Sequence, residues 1–438
     1  MSRRILVTGA SVAGNTVAWW LTRLGETVEV VERAPAFSEG GQNVDVRGTA
    51  REVLRRMGLE QAALIRNTGE RGTDWVDEEE RTIARFAVDD VGDGPTAEME
   101  ILRGDIARII HDAVRERAEF RFGDSIAAIV QHDHGVDVRF VSGREARYDL
   151  VVVAEGVGSA TRELVFPSEA RSRWMDITIA FFSIPETAGD GAFARQYNTV
   201  GGRGATLKPG PDSRLHVFLG LQKKPEGEQH WDAGRQKAWL RERFAGDGWL
   251  IPRLLDGMDE TDDFYFDVLR MLRMERWSKG RVILTGDAAW CATPLSGIGT
   301  TLAIVGGYVL AGELSRSADL ATAMANYERV MRPFVDEGQA VPKIVPRLLW
   351  PHSRPGLTLL RGAMRLAGTP PMRRLFAAAF VRNARKVALP DYRHPAAERR
   401  LVHDASPVRD WRRRGIAAAA LAGVGAAGLL WLARRSKH

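Results

Sequence analysis

Arg4-Ile5-Leu6-Val7-Thr8-Gly9-Ala10-Ser11-Val12-Ala13-Gly14 is the stretch on which the reading of the whole chain turns. Arg4 to Thr8 reads as a buried strand. The apolar positions Ala18, Trp19, Leu21 and Leu24 that follow predict a helix stopped by Gly25. A second strand, Thr27 to Val31, ends in Glu32 with Arg33 beside it. Strand, glycine turn, helix and strand in this order form the βαβ unit of an α/β fold that binds a dinucleotide. Gly9 permits the tight turn and Gly14 lets the helix close on the strand, while the backbone of Ser11, Val12 and Ala13 offers partly positive amides to a pyrophosphate. Glu32, eighteen residues after Gly14, is placed to accept hydrogen bonds from ribose hydroxyls. Ser11 stands where the pattern has its middle glycine, and its backbone can approach phosphate if its φ is negative. The turn alone does not separate FAD from NAD.

Two later segments add to it. Tyr148 to Val153 is a strand running into Ala154-Glu155-Gly156-Val157-Gly158-Ser159-Ala160-Thr161-Arg162. Arg281 to Leu284 is another, ending in Thr285-Gly286-Asp287, followed by Pro294-Leu295-Ser296-Gly297-Ile298-Gly299-Thr300-Thr301 and a helix through about Leu314. With Arg47 in Asp45-Val46-Arg47-Gly48 and Arg103 in Leu102-Arg103-Gly104-Asp105, the chain from about residue 3 to 345 resembles the para-hydroxybenzoate hydroxylase-type flavoprotein monooxygenases. Within them it is most similar to the bacterial branch of tetracycline-inactivating and polyketide-tailoring enzymes.

The resemblance implies a Rossmann-like FAD-binding domain with an inserted, mainly antiparallel substrate sheet, and the sequence beyond it reads as C-terminal helices and a hydrophobic tail. The implied divisions are 1–166 and 271–345 for the two parts of the FAD-binding domain and 167–270 for the sheet. Residues 346–410 follow as a helical region and 411–438 as the tail. Asp287 would bind the ribityl chain, Arg47 and Arg103 would lie along the cofactor, and Pro294 and Gly297 to Thr300 would meet the flavin ring. Amides at the start of the helix near Gly299 would stabilise negative charge on reduced flavin. The family has Asp-Gly where this chain has Glu155-Gly156, which bears on contact with the cofactor or the nicotinamide donor. The chemistry implied is hydroxylation of an aromatic or polyketide-like small molecule by NAD(P)H and O2 through a flavin C4a-hydroperoxide, so no catalytic side chain is nominated. A reductase or dehydrogenase of a lipid-like substrate and a flavin-binding protein without turnover are the alternatives.

Between Pro167 and Arg270 the alternation of Ile177 to Ile184 and Arg214 to Leu219 predicts antiparallel strands, with Phe181, Phe218, Arg195 and Tyr197 as candidates for a pocket wall. Core or surface roles are the competing reading for all four. His132 and His134 sit in a polar hairpin turn, His216 could face either way, and Cys291 reads as a packed small residue. Tyr327 leads into a helix interrupted by Pro333.

The chain has 438 residues, 45% hydrophobic and 27% charged, in the range of a multi-domain globular protein. One cysteine excludes an internal disulfide framework, and no Cys/His cluster has metal-ligand spacing, which points to a reducing cytoplasm and no metal. The net charge is +6, and six basic residues without an acid lie between Trp411 and His438, so residues 1–410 are formally neutral and no nucleic-acid partner is expected. Residues 416–433 carry no charge and hold eight Ala, three Gly and four Leu. They read either as a C-terminal membrane anchor or as a peripheral or exposed helix.

Overall fold

The computed structural model of the chain describes residues 2–38, 40–87, 99–342, 344–373 and 388–392. Residues 416–433, the candidate anchor, lie outside them. Among the described residues no helix is long and apolar enough to cross a membrane.

The first sheet has six strands. Val282–Leu284, Leu150–Val153, Arg4–Thr8, Thr27–Glu32 and Glu119–Phe122 run parallel in that spatial order, and Ser278–Lys279 adds an antiparallel edge. Parallel strands covered on both faces are apolar throughout, and Ile5, Leu6, Val7, Leu150 to Val153 and Val282 to Leu284 are all fully buried. Each such side chain contributes about 1.5–3 kcal/mol. Helices Val12–Arg23 and Gly299–Arg316 supply Val17, Leu21, Val305 and Leu310 to this core. The meander Ile126–His132, Gly135–Phe140 and Glu145–Tyr148 adds Val136, Val138 and Phe140. Gly25 ends the first helix with φ of +87°.

The second sheet has seven strands, in the order Tyr265–Arg273, Arg171–Pro185, Arg214–Gln222, Arg203–Pro209, Ala194–Thr199, Gly72–Val76 and Thr82–Ala87. Every pairing is antiparallel except Ala194–Thr199 with Gly72–Val76. The sheet therefore reaches beyond 167–270, taking two strands from the N-terminal part and one that straddles residue 270. Period-2 alternation gives it two unlike faces. On the back, Ala180, Phe182, Ile184, Tyr197, Leu207, Val217 and Leu219 pack under helices Ala233–Phe244 and Ile251–Glu260. On the front, Ile177, Ile179, Phe181 and Phe218 meet Val341, Val345, Trp350 and Leu295.

A two-stranded ribbon, Asn43–Asp45 with Glu100–Leu102, lies between the sheets and leads into Arg47 and Arg103. Helix Leu320–Gly338 runs through Pro333 instead of breaking there: the lost hydrogen bond and the clash with the carbonyl four residues back fall at a solvent-exposed position and are absorbed locally. Helices Val345–Leu349 and Arg354–Ala367 each carry proline in the first turn, where the missing amide costs nothing.

Candidate functional site

The ends of three adjacent parallel strands bring the three motifs together. Gly9 (φ +99°) would place a β-carbon 2.5 Å from the Ala154 carbonyl oxygen. One on Gly14 would collide with the Gly9 carbonyl, and one on Gly286 (φ +59°) would stand 2.8 Å from the Ala13 β-carbon. The glycines are thus fixed by close approach of backbones, as the Gly9–Gly14 spacing demands. Ser11 is extended at φ −99°, so serine fits without strain, and its side chain does not cap the helix. Among the described residues nothing accepts from the amides of Val12, Ala13 and Gly14, which leaves a helix N-terminus open to an anion.

Glu32 stands at its strand end and accepts from the amides of Ala10 and Ala34, both at 2.9 Å. Arg33 next to it is exposed. Glu155 turns toward its own chain, accepting from Ser159 Oγ at 2.7 Å, Thr161 N at 3.0 Å and Thr161 Oγ1 at 2.5 Å. Its extra methylene lets it cap helix Ala160–Val165. Gly156 (φ +80°) has open space where a side chain would point. Buried Arg162 donates to the carbonyls of Val157 (3.0 Å) and Ala288 (3.3 Å), tying this turn to the residue after Asp287. Its role was not visible in the sequence, although it closes the quoted motif.

Asp287 has accessible surface, yet crowding by protein raises its carboxyl above the usual range, against the pull of the Arg103 guanidinium and the Cys291 thiol. Its exposed side chain, with the open space at Gly156 and Gly299, marks a recess at the strand ends. Tyr265 behaves alike: it is 48% exposed, but burial, then Asp267, raise its hydroxyl while Arg103 opposes them. Asp267 is also raised by burial. Arg103 Nε is buried without a partner, and Gly41 gives it room: a β-carbon there would lie 2.6 Å from Nε. Burial pushes the Cys291 thiol up, as suits a packed residue and not a nucleophile.

The segment after Asp287 holds a strained residue, Thr293 at φ +66°, just before exposed Pro294. A β-carbon on Gly297 (φ +66°) would lie 4.0 Å from Asp45 Oδ2, and Gly299 opens on empty space. Arg47 Nη2 donates to Asp45 at 2.9 Å, and its amide donates to Thr301 Oγ1 at 3.4 Å. Thr300 lies in the first turn of helix Gly299–Arg316, which has no side-chain cap. These residues fit FAD: an open helix N-terminus, a carboxylate at the end of the second strand, a guanidinium whose buried Nε has no partner, and a second uncapped helix behind a glycine loop.

The front of the seven-stranded sheet continues the recess. Tyr265, Phe181 and Phe218 lie opposite one another on three neighbouring strands, with ring centroids 6.2 and 5.0 Å apart. Thr206, Gln196 and Trp75 extend the row, Thr206 Oγ1 donating to Gln196 Oε1 at 2.5 Å. Trp350 borders it, 6.4 Å from Phe218, its buried indole N–H without an acceptor. Two of the four expected wall residues are therefore here. Tyr197 is in the back core, stacked on Trp249, and Arg195 is ion-paired with Asp190. A separate recess of about 350 Å³ beside Thr187, Asp190 and Ser213 lies away from the strand ends, and its Asp190 is already neutralised by Arg195 and Arg253.

One row along, Lys208 and His216 face each other on the front. Lys208 crosses to the ribbon, pairing with Glu100 and, at 3.2 Å, with Glu70. Burial, then Glu100, raise the Glu70 carboxyl well above its usual range. Glu100 stays ionised because Lys208 outweighs its own burial. His132 bonds Asp137 at 2.9 Å beside the exposed turn that carries His134, and the described residues contain no metal-binding cluster.

The sequence model of the FAD binding domain family matches residues 3–319. The FAD-dependent monooxygenase asL4 of Sarocladium schorii is 32% identical over 395 residues, covering 83% of this chain and 92% of that protein. Monooxygenase CTB7 of Cercospora beticola is 34% identical over 412 residues, covering 89% and 98%. The solved tetracycline destructase Tet(51) superposes with a TM-score of 0.75 at 29% identity, covering 90% of this chain and all of that one. The glycine-lined strand ends and these matches over nearly whole lengths lead to one conclusion: this chain belongs to the FAD binding domain family and is an FAD-dependent monooxygenase.

Proposed function

We propose that this monooxygenase hydroxylates an aromatic or polyketide-like small molecule held against the front of the seven-stranded sheet. The observation that carries the reading is the row Tyr265, Phe181 and Phe218, three rings in register beside Asp287 and Arg103. Such a row offers ring faces and edges to a planar substrate, and its apolar wall keeps water from the reacting centre. The likeness to Tet(51) favours the branch of tetracycline-inactivating and polyketide-tailoring enzymes and makes tetracycline-like ring systems the first to test.

The amides of Val12, Ala13 and Gly14 receive the pyrophosphate, with Gly9 and Ser11 shaping the turn. Glu32 and Arg33 take the ribose end, Arg103 and Asp287 the ribityl chain, and Arg47 lies along the cofactor. Pro294, Gly297, Gly299 and Thr300 carry the ring. Bound flavin supplies the redox chemistry, taking hydride from NAD(P)H and activating O2. The chain's own part is to orient substrate and to stabilise negative charge by the uncapped amides at Gly299 and Thr300. Glu155 and Gly156 shape the neighbouring turn, Glu155 through its cap of the following helix. The lone buried thiol suits a reducing cytoplasm.

The test is oxygen uptake and NAD(P)H oxidation by the purified yellow protein across phenols and aromatic polyketides, with product mass. Substrate-stimulated uptake with a gain of one oxygen atom is expected. NAD(P)H oxidation without incorporation for any substrate points to a reductase or dehydrogenase and overturns the proposal.

A further inference from the structure

Helix Arg354–Ala367 buries one side only. Leu360, Met364 and Ala367 pack on Trp75, Ala84 and Phe86 at the end of the front face. Pro355, Leu359, Gly362 and Leu366, spaced by four, three and four residues, share the outer side. Leu359 and Leu366 are 73% and 59% exposed, and Met372 just beyond is exposed as well. Arg354 and Arg365 border this ridge along one side and Arg347 stands on the preceding helix, all three exposed. Among the described residues no carboxylate pairs with them, whereas Arg361 is held by Glu78.

The sequence carries the same polarity on a larger scale. Residues 338–390 contain ten Lys or Arg and no Asp or Glu. Residues 338–438 carry a net +16, and residues 1–337 the balancing −10. The basicity is therefore not confined to residues 411–438. Neutrality over 1–410 hides an acidic body joined to a basic C-terminal part.

Solvated charge would account for the arginines but not for a ridge of exposed leucines beside them. A polyanion such as nucleic acid would take the cations and leave Leu359 and Leu366 in water. An anionic bilayer satisfies both, apolar side chains entering the acyl boundary and cations meeting headgroups. We propose that the ridge Pro355, Leu359, Gly362 and Leu366 docks this protein on an anionic phospholipid bilayer.

Co-sedimentation of the full flavin-loaded chain with phosphatidylcholine vesicles, with and without phosphatidylglycerol, tests this. Binding is expected only with phosphatidylglycerol. Leu359→Glu with Leu366→Glu should weaken it more than about tenfold, and Arg354→Glu with Arg365→Glu about tenfold or more. Both pairs should keep the flavin spectrum and NAD(P)H oxidation in solution, which separates lost docking from lost folding. Wild-type affinity in the leucine variant overturns the proposal. So does failure of the wild type to bind phosphatidylglycerol vesicles, or preference for duplex DNA over them.

Discussion

The two faces of the seven-stranded sheet come from the same residues in alternation, yet they differ in kind. The back is shut by helices Ala233–Phe244 and Ile251–Glu260 over a continuous apolar layer. The front mixes half-open rings with Gln196, Lys208, His216 and Asp267, and meets the loop of Leu295. What a strand's side chains do is decided by what the rest of the chain lays over each face. A closed layer gives stability, and the face turned to the recess can afford polar groups and room.

Neighbouring residues test this contrast most directly. Phe182→Ala, on the back, should cost about 3–5 kcal/mol in denaturant unfolding and leave product per NAD(P)H unchanged in the folded fraction. Lys208→Met should cost nearly as much, about 3–5 kcal/mol, because it leaves Glu100 and Glu70 buried without their cation. Adding Glu100→Gln should recover most of that loss, and no recovery would show that Lys208 acts by packing. Phe181→Ala, one residue from Phe182 but half-buried on the front, should cost only about 1–2 kcal/mol. Product formed per NAD(P)H should nevertheless fall several-fold, read by comparing NAD(P)H oxidation with product yield.

The smallest effect concerns acid. Burial lowers the pKa of His216, which faces Lys208 and Arg214 as well as Asp263 and Glu100. The unfolded chain then binds a proton that the folded chain resists, so stability falls as pH drops below about 6.5, the ordinary histidine value. His216→Phe should flatten that part of a melting-temperature profile against pH. An unchanged slope would assign the acid lability to other groups.

What could be read from sequence was local. Arg4–Thr8, the helix to Gly25, and the strands ending in Glu32 and Gly286 follow from short-range patterns, and the structure has them within a residue or two. Tyr148 to Val153 proves to be two strands in different sheets, split at Asp149, whose amide donates to the Arg4 carbonyl. Tyr265 and Asp267 were missed because only the register of Arg171–Pro185 against Tyr265–Arg273 sets them beside Phe181. Lys208, Glu70 and Glu100 were missed for the same reason, since alternation does not say which distant carboxylates a strand lysine will meet. Arg195 and Tyr197 read as wall residues only while their face was unknown.

Ala194–Thr199 lies parallel to Gly72–Val76, with more than a hundred residues between them that include strands of the six-stranded sheet, Glu119–Phe122 and Leu150–Val153. The two halves are therefore interlaced, not strung in series. A graft exchanging only residues 167–270 with a relative would leave the recipient's own strands at 72–87 to close a foreign sheet, and would cut Tyr265–Arg273 in mid-strand. Ribosomal synthesis meets the same constraint: the sheet cannot be completed until about residue 273 has emerged, so the early hairpin of Gly72–Val76 with Thr82–Ala87 must wait for its neighbour Ala194–Thr199.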